Sequence, residues 1–102
     1  MSTLTISTIQ TNLYWENKAA NLQLLEEKIN SLYQKTEIVV LPEMFSTGFS
    51  MKPEQFAETM EGSTVEWMKK LSASNRVIIT GSLIIKEAGH YYNRLIWMMP
   101  NG

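Results

Sequence analysis

The sequence predicts an α/β fold, and three observations carry that prediction. Glu37-Ile38-Val39-Val40-Leu41 is a β-branched run without polar alternation. That composition suits a strand buried on both faces, as in a parallel sheet covered by helices. Before it, residues 16–33 place Leu22, Leu25, Ile29 and Leu32 at three- and four-residue steps, the apolar stripe of an amphipathic helix, with Glu26, Glu27, Lys28 and Gln34 mostly off the stripe. Earlier still, residues 3–10 alternate, with Leu4 and Ile6 on one face of a short strand. Strand, helix and strand in this order make a βαβ unit.

The remaining elements follow from local signals. Pro42 ends the second strand, and 43–52 read as a loop with Gly48 as its flexible point. Pro53 suits the first turn of a short helix running to about Thr59. Ser63-Thr64-Val65-Glu66 has capping-box spacing, so a longer helix should start there. Val65, Met68 and Leu71 would face its core, and Ser74-Asn75 would close it. Residues 76–86 form a strand with Val77, Ile79, Leu83 and Ile85 on one face. Glu87-Ala88-Gly89-His90 is a turn, and 91–99 is the returning strand of a hairpin. Tyr91 and Trp97 share one face of that strand and are expected in the core, as are Met68, Met98 and Met99. Pro100-Asn101-Gly102 carries the Asn-Gly hairpin signal. A further antiparallel strand is expected after it, so the sequence reads as truncated there.

Composition excludes several kinds of chemistry. The 102 residues are 44% hydrophobic and 19% charged, ordinary for globular protein and enough for a modest core. A net charge of −1 with scattered Lys and Arg gives no reason to expect nucleic acid or a membrane surface as partner. The first residues lack a basic segment followed by an apolar one, and no apolar run approaches the roughly 18 residues of a membrane span. A soluble, cytoplasmic protein is the expectation. With no cysteine, there is no disulfide and no thiol nucleophile within these residues. With no aspartate, a Ser-His-Asp triad cannot be assembled. The single histidine, His90, falls in the hairpin turn and is expected to be exposed. One histidine with scattered glutamates offers no metal-ligand spacing, so no metal is expected. Ser46, Ser50 and Ser82 lie outside any Gly-x-Ser-x-Gly elbow.

Position singles out Glu43. In open α/β sheets, ligands bind beyond the carboxyl ends of the strands. Leu41-Pro42-Glu43 places a carboxylate at such an end, followed by Met44, Phe45, Ser46, Thr47, Gly48 and Phe49. A carboxylate held among aromatics would be partly desolvated and suited to proton transfer near neutral pH. The competing reading is a solvated loop residue. Phe45 and Phe49, which flank the same loop, are either pocket wall or ordinary packing.

Leu41 to Phe49 resembles the glutamate motif of the nitrilase superfamily of carbon–nitrogen hydrolases. The neighbouring segments resemble it in the same order: Gln10-Thr11-Asn12, a helix with Asn17 and Asn21 near its start, the Gly81-Ser82 strand, and Tyr91-Tyr92-Asn93-Arg94 leading to Pro100-Asn101-Gly102. In Glu43 to Met51 the likeness is to the omega-amidase branch, which hydrolyses short dicarboxylic monoamides. The resemblance implies the N-terminal part of an α-β-β-α sandwich, residues 1–102 being one portion of a single hydrolase domain. It implies a cofactor-free Cys-Glu-Lys mechanism, a small amide as substrate and a homo-oligomer. Only the general-base glutamate maps onto this sequence, at Glu43, with Phe45 and Phe49 as substrate-lining candidates. The family's Lys and Cys fall beyond Gly102, and Lys52, Lys69, Lys70 and Lys86 do not match the Lys position. A catalytically incompetent fragment and a small-molecule binding module are the alternatives.

Overall fold

The computed structural model describes residues 3–32 and 36–102. Four strands form one sheet in sequence order: β1 (Ile6–Thr8), β2 (Ile38–Val40), β3 (Ile78–Glu87) and β4 (His90–Met98). The first three are parallel, and β3 and β4 form the antiparallel hairpin. Ala88 and Gly89, at φ 52 and 77, make its two-residue turn. Positive φ at both turn positions matches the right-handed twist of the flanking strands.

The helices α1 (Lys18–Asn30), α2 (Pro53–Phe56) and α3 (Ser63–Asn75) lie between the parallel strands in the chain. Asn17 caps α1 through its side chain, accepting from the Ala20 N–H at 3.1 Å. Thus α1 begins two residues later than the apolar periodicity suggests and ends at Asn30, with Ser31 as its C-cap, short of the expected run through Leu32; Tyr33 lies outside the described residues. Leu25 and Ile29 are buried, while Leu32, past the helix end, is exposed.

Register decides what each sheet face does. Ile79 pairs with Met98 and Gly81 with Ile96, and Val39 pairs with Ile79. This face receives Leu25 and Ile29 from α1 and Val65, Met68 and Leu71 from α3, forming the core. The opposite face carries Val40, Thr80 and Ser82 beside Trp97 and Leu95. Leu95 is 69% exposed and Trp97 53%. The expectation that Tyr91, Trp97 and Met99 belong to the core is therefore corrected: all three are exposed, and Ile96 and Met98 supply the buried positions. Likewise β1 covers only Ile6–Thr8, with Leu4 and Ile6 exposed and Ile9 buried.

Two local signals are overridden by tertiary contacts. The short helix α2 ends at Phe56, and Glu58 pairs with the outer part of β3 instead. Its N–H donates to the Ile84 carbonyl at 3.1 Å, and its carbonyl accepts from the Lys86 N–H at 2.8 Å. The capping box does not form: Gly62 is the N-cap of α3 and Ser63 its first residue. The Glu58 carboxylate does the capping, accepting from the Thr64 N–H at 2.9 Å, from the Thr64 hydroxyl, and from the Lys18 ammonium at 2.8 Å.

Glu58 thereby joins α1, β3 and α3, and its charge state bears on stability. Partial burial disfavours its charged form, but hydrogen bonds from Lys18 and Thr64 outweigh this and hold its carboxyl below the ordinary 4.5. A lowered folded-state value means stabilisation that is fully present above the unfolded value. It fades as the pH falls below 4.5 and through the lowered folded value. Glu58→Gln should cost about 1.5–3 kcal/mol at pH 7, the worth of hydrogen bonds to a charged group. It should also flatten the acid side of the stability profile in urea melts. Superimposable profiles for the two proteins would contradict this.

Candidate active site

β3 outruns β2, and the chain after β2 uses the excess length. The Leu41 N–H donates to the Thr80 carbonyl at 2.8 Å, and the Phe45 N–H to the Ser82 carbonyl at 3.2 Å. Between them, the Met44 N–H donates to the Ser82 hydroxyl oxygen at 2.9 Å. Glu43 therefore sits on a backbone pinned on its C-terminal side by the carbonyl and hydroxyl oxygens of Ser82. Met44 then turns the chain through the left-handed region, at φ 50, and its carbonyl accepts from the Thr47 and Gly48 N–H groups at 3.2 and 2.8 Å. Gly48, at φ 72, completes the turn with the conformation expected of a flexible loop position.

The loop is also fastened from below. Asn21 is fully buried, and its carboxamide donates to the carbonyls of Ser46 (2.9 Å) and Tyr14 (2.7 Å) and accepts from the Tyr14 N–H at 2.7 Å. One side chain on α1 thus ties the loop to the segment following β1. Ser50 donates to the Glu16 carboxylate at 2.7 Å, securing the far end. Ser46, Ser50 and Ser82, dismissed above as nucleophiles, all hold the loop in shape.

Phe45, for which the sequence left pocket wall and ordinary packing open, is fully buried, with its ring stacked on Trp67 at 5.7 Å between centroids. It anchors the loop in the helix-covered core, and Gly81 makes room for it. A Cβ at Gly81 would come within 2.9 Å of the Phe45 ring and 3.0 Å of the Leu41 Cβ. Phe49 behaves differently, being 71% exposed at the edge of an apolar groove with Met44, Met51, Ile84, Tyr91 and Tyr92.

Glu43 itself is exposed, on the sheet face opposite the helix-covered core. No aromatic ring lines the groove beside it, so the aromatic enclosure expected from the sequence is not supplied by these residues. That groove, of about 340 Å³, is lined by Val40, Thr80, Gly81, Ser82, Asn93 and Leu95. Asn93 donates from Nδ2 to Glu43 Oε1 at 3.3 Å. It also lines the groove that holds Phe49, so it stands between the two. In the sequence Asn93 stands out only as part of the Tyr91-Tyr92-Asn93-Arg94 segment. No local signal links it to a glutamate fifty positions earlier, because only the β3–β4 register brings them together.

Chemically, this is a solvent-facing carboxylate on a rigid loop, steadied by a neutral donor and open on its second oxygen. It can accept a proton from a group placed above the sheet. The sequence holds no cysteine, so no thiol stands beside this carboxylate among these residues. Among the described residues, no group of three or more His, Cys, Asp or Glu side chains is gathered to hold a metal ion. Nor is any helix among them long and apolar enough to cross a membrane.

Comparison with known proteins bears on these features. The family model described as carbon-nitrogen hydrolase matches residues 5–102. The omega-amidase YafV of Yersinia enterocolitica is 32% identical over 102 residues, covering 100% of this chain and 39% of that protein. The 2-oxoglutaramate amidase of Bacillus subtilis is 26% identical over 93 residues, 89% of this chain and 36% of that protein. Among solved structures, a CN-hydrolase superfamily protein from Xanthomonas campestris, with an arsenic adduct in its active site, superposes with a TM-score of 0.92 at 33% identity. That match covers 99% of this chain and 38% of the other. The chain spans well under half the length of the relatives it matches.

Proposed function

The chain belongs to the carbon–nitrogen hydrolase family, and on that premise we propose that it supplies the general base for hydrolysis of a small carboxylic amide, in the manner of an omega-amidase. The observation that carries this reading is the exposed Glu43 carboxylate at the carboxyl end of β2, on a loop held by Ser82 and Asn21. Similarity to proteins named omega-amidase and 2-oxoglutaramate amidase supports the choice of amide.

In the Cys-Glu-Lys scheme that the family resemblance implies, Glu43 takes the thiol proton as sulfur attacks the amide carbonyl. The lysine stabilises the oxyanion. Collapse of the tetrahedral intermediate breaks the C–N bond, and the proton held by Glu43 goes to the departing ammonia. Glu43 then takes a proton from the water that hydrolyses the thioester, and the thiol is regenerated. No cofactor is needed. Phe49, at the rim of the neighbouring groove, is the substrate-contacting candidate that this geometry favours.

The test is Glu43→Gln in a chain of amidase length that carries the family's cysteine and lysine. The two side chains are nearly the same size, but the amide cannot act as a base. Activity should fall by about 10²–10⁴-fold, the usual worth of general acid–base catalysis. Stability should be almost unchanged, because Glu43 is exposed. A rate within tenfold of wild type would move Glu43 to a structural role.

A further inference from the structure

Ser82 and Asn21 fix the backbone on which Glu43 sits, but they do not fix its carboxylate. The side chain has three torsions and is exposed, so its head is free to leave the catalytic geometry unless something holds it. Efficient proton transfer needs the base placed within about 0.5 Å and 10–20° of its working position. Among the described residues, one side chain meets this carboxylate: Asn93, through Nδ2 to Oε1 at 3.3 Å. Asn93 lies on β4 opposite Ile84 of β3, within the best-paired part of the sheet. Its own backbone is thus held rigidly. Its carboxamide makes no other hydrogen bond among the described residues.

We propose that Asn93 is the positioning residue for Glu43, holding one carboxylate oxygen so that the other faces the reacting groups; this rests on the functional reading above. A neutral donor suits the task. A lysine or arginine here would bind the carboxylate as a fixed ion pair and compete with the proton it must accept. An apolar residue would leave it unrestrained. The 3.3 Å separation is at the long end for a hydrogen bond, as is common at catalytic sites before substrate is bound.

The experiment is a double-mutant cycle in an amidase-length chain that carries the family's cysteine and lysine. Asn93→Leu, Asn93→Gln and Glu43→Gln are made singly, and Asn93→Leu is combined with Glu43→Gln. Misplacement of a reacting group by about 1 Å costs up to 10²-fold in rate. Asn93→Leu should therefore lower kcat at least about tenfold while KM stays within about twofold. Asn93→Gln, which keeps the donor, should recover much of that loss. In the Glu43→Gln background, Asn93→Leu should have no further effect, because residues acting through one group are not additive. Thermal melts should be alike for all four proteins, and Asn93→Ala takes the place of any Leu variant that fails to fold. Three results would overturn the proposal. They are a kcat within twofold of wild type, a raised KM at unchanged kcat (which marks a substrate contact), or an undiminished loss in the Glu43→Gln background. Should Glu43→Gln alone leave the rate intact, the functional reading fails. If Glu43→Gln is inactive and Asn93→Leu is not, the positioning role alone is refuted.

Discussion

Given a short omega-amide as substrate, the 102-residue chain by itself should release no ammonia above the buffer background. The proposed scheme divides an amide's hydrolysis between a nucleophile, a base and an oxyanion stabiliser, and under it these residues would offer only the base, Glu43. The sequence contains no thiol. Its serines are poor substitutes: Ser82 accepts from the Met44 N–H in the loop's scaffold, and Ser50 donates to Glu16. The lone histidine, His90, expected in the hairpin turn, is instead the first residue of β4, paired with Glu87 and exposed, with its ring 6.4 Å from that of Tyr92. When a nucleophile is removed from a hydrolase, the loss in rate is on the order of a millionfold. Coupled detection of ammonia over hours provides the check. Release above background that disappears in Glu43→Gln would show that these residues hold a complete site, and the division of labour proposed here would be wrong.

The same chain, studied alone at tens of micromolar, should self-associate. Its core lies on one side of the sheet, beneath α1 and α3, while the other side carries Ile6, Leu95 and Trp97 in the open. Beside them, β4 is an edge strand with a free row of backbone donors and acceptors. Proteins guard such edges with charge, proline or a bulge. Over Tyr91–Met99 the only charge is Arg94, which is engaged with Glu87 at 2.9 Å, and Pro100 comes after the strand. An apolar face next to an unguarded edge favours pairing with another copy. Sedimentation velocity should show dimers or larger species that grow with concentration, and Leu95→Lys with Trp97→Lys should shift the population towards monomer. A monodisperse monomer with a cooperative melt above about 50 °C would mean that the exposed face is tolerated in isolation. In a chain of amidase length, the same face and edge are where contact with further layers is expected.

Much of this was legible in the residues alone, and the limits of legibility have physical causes. The β-branched run at 37–41, the three- and four-residue steps of α1 and α3, and the Ala88-Gly89 turn are local patterns whose cause is local backbone and side-chain preference. They determined the α/β class, the element order and the placing of Glu43 at a strand's carboxyl end. Which face of the hairpin is core was not legible, because β4 is largely apolar on both faces. Alternation separates Trp97 from Met98 but cannot say which one meets a helix. The helices decide that, and they lie across the sheet from Trp97. Phe45 was equally ambiguous: the same ring serves a pocket or a core, and the space over Gly81 beside Trp67 selected the core. The capping box at Ser63 lost to Glu58, whose carboxylate reaches the helix start from a loop that β3 holds in place. Asn93 and Glu43 stand fifty residues apart, and no periodicity spans that distance. Composition and position in the chain were enough to put a carboxylate at the end of β2 and no thiol among these residues. What surrounds that carboxylate came from the folded arrangement, because strand register sets long-range neighbours through pairings that no short window of residues contains.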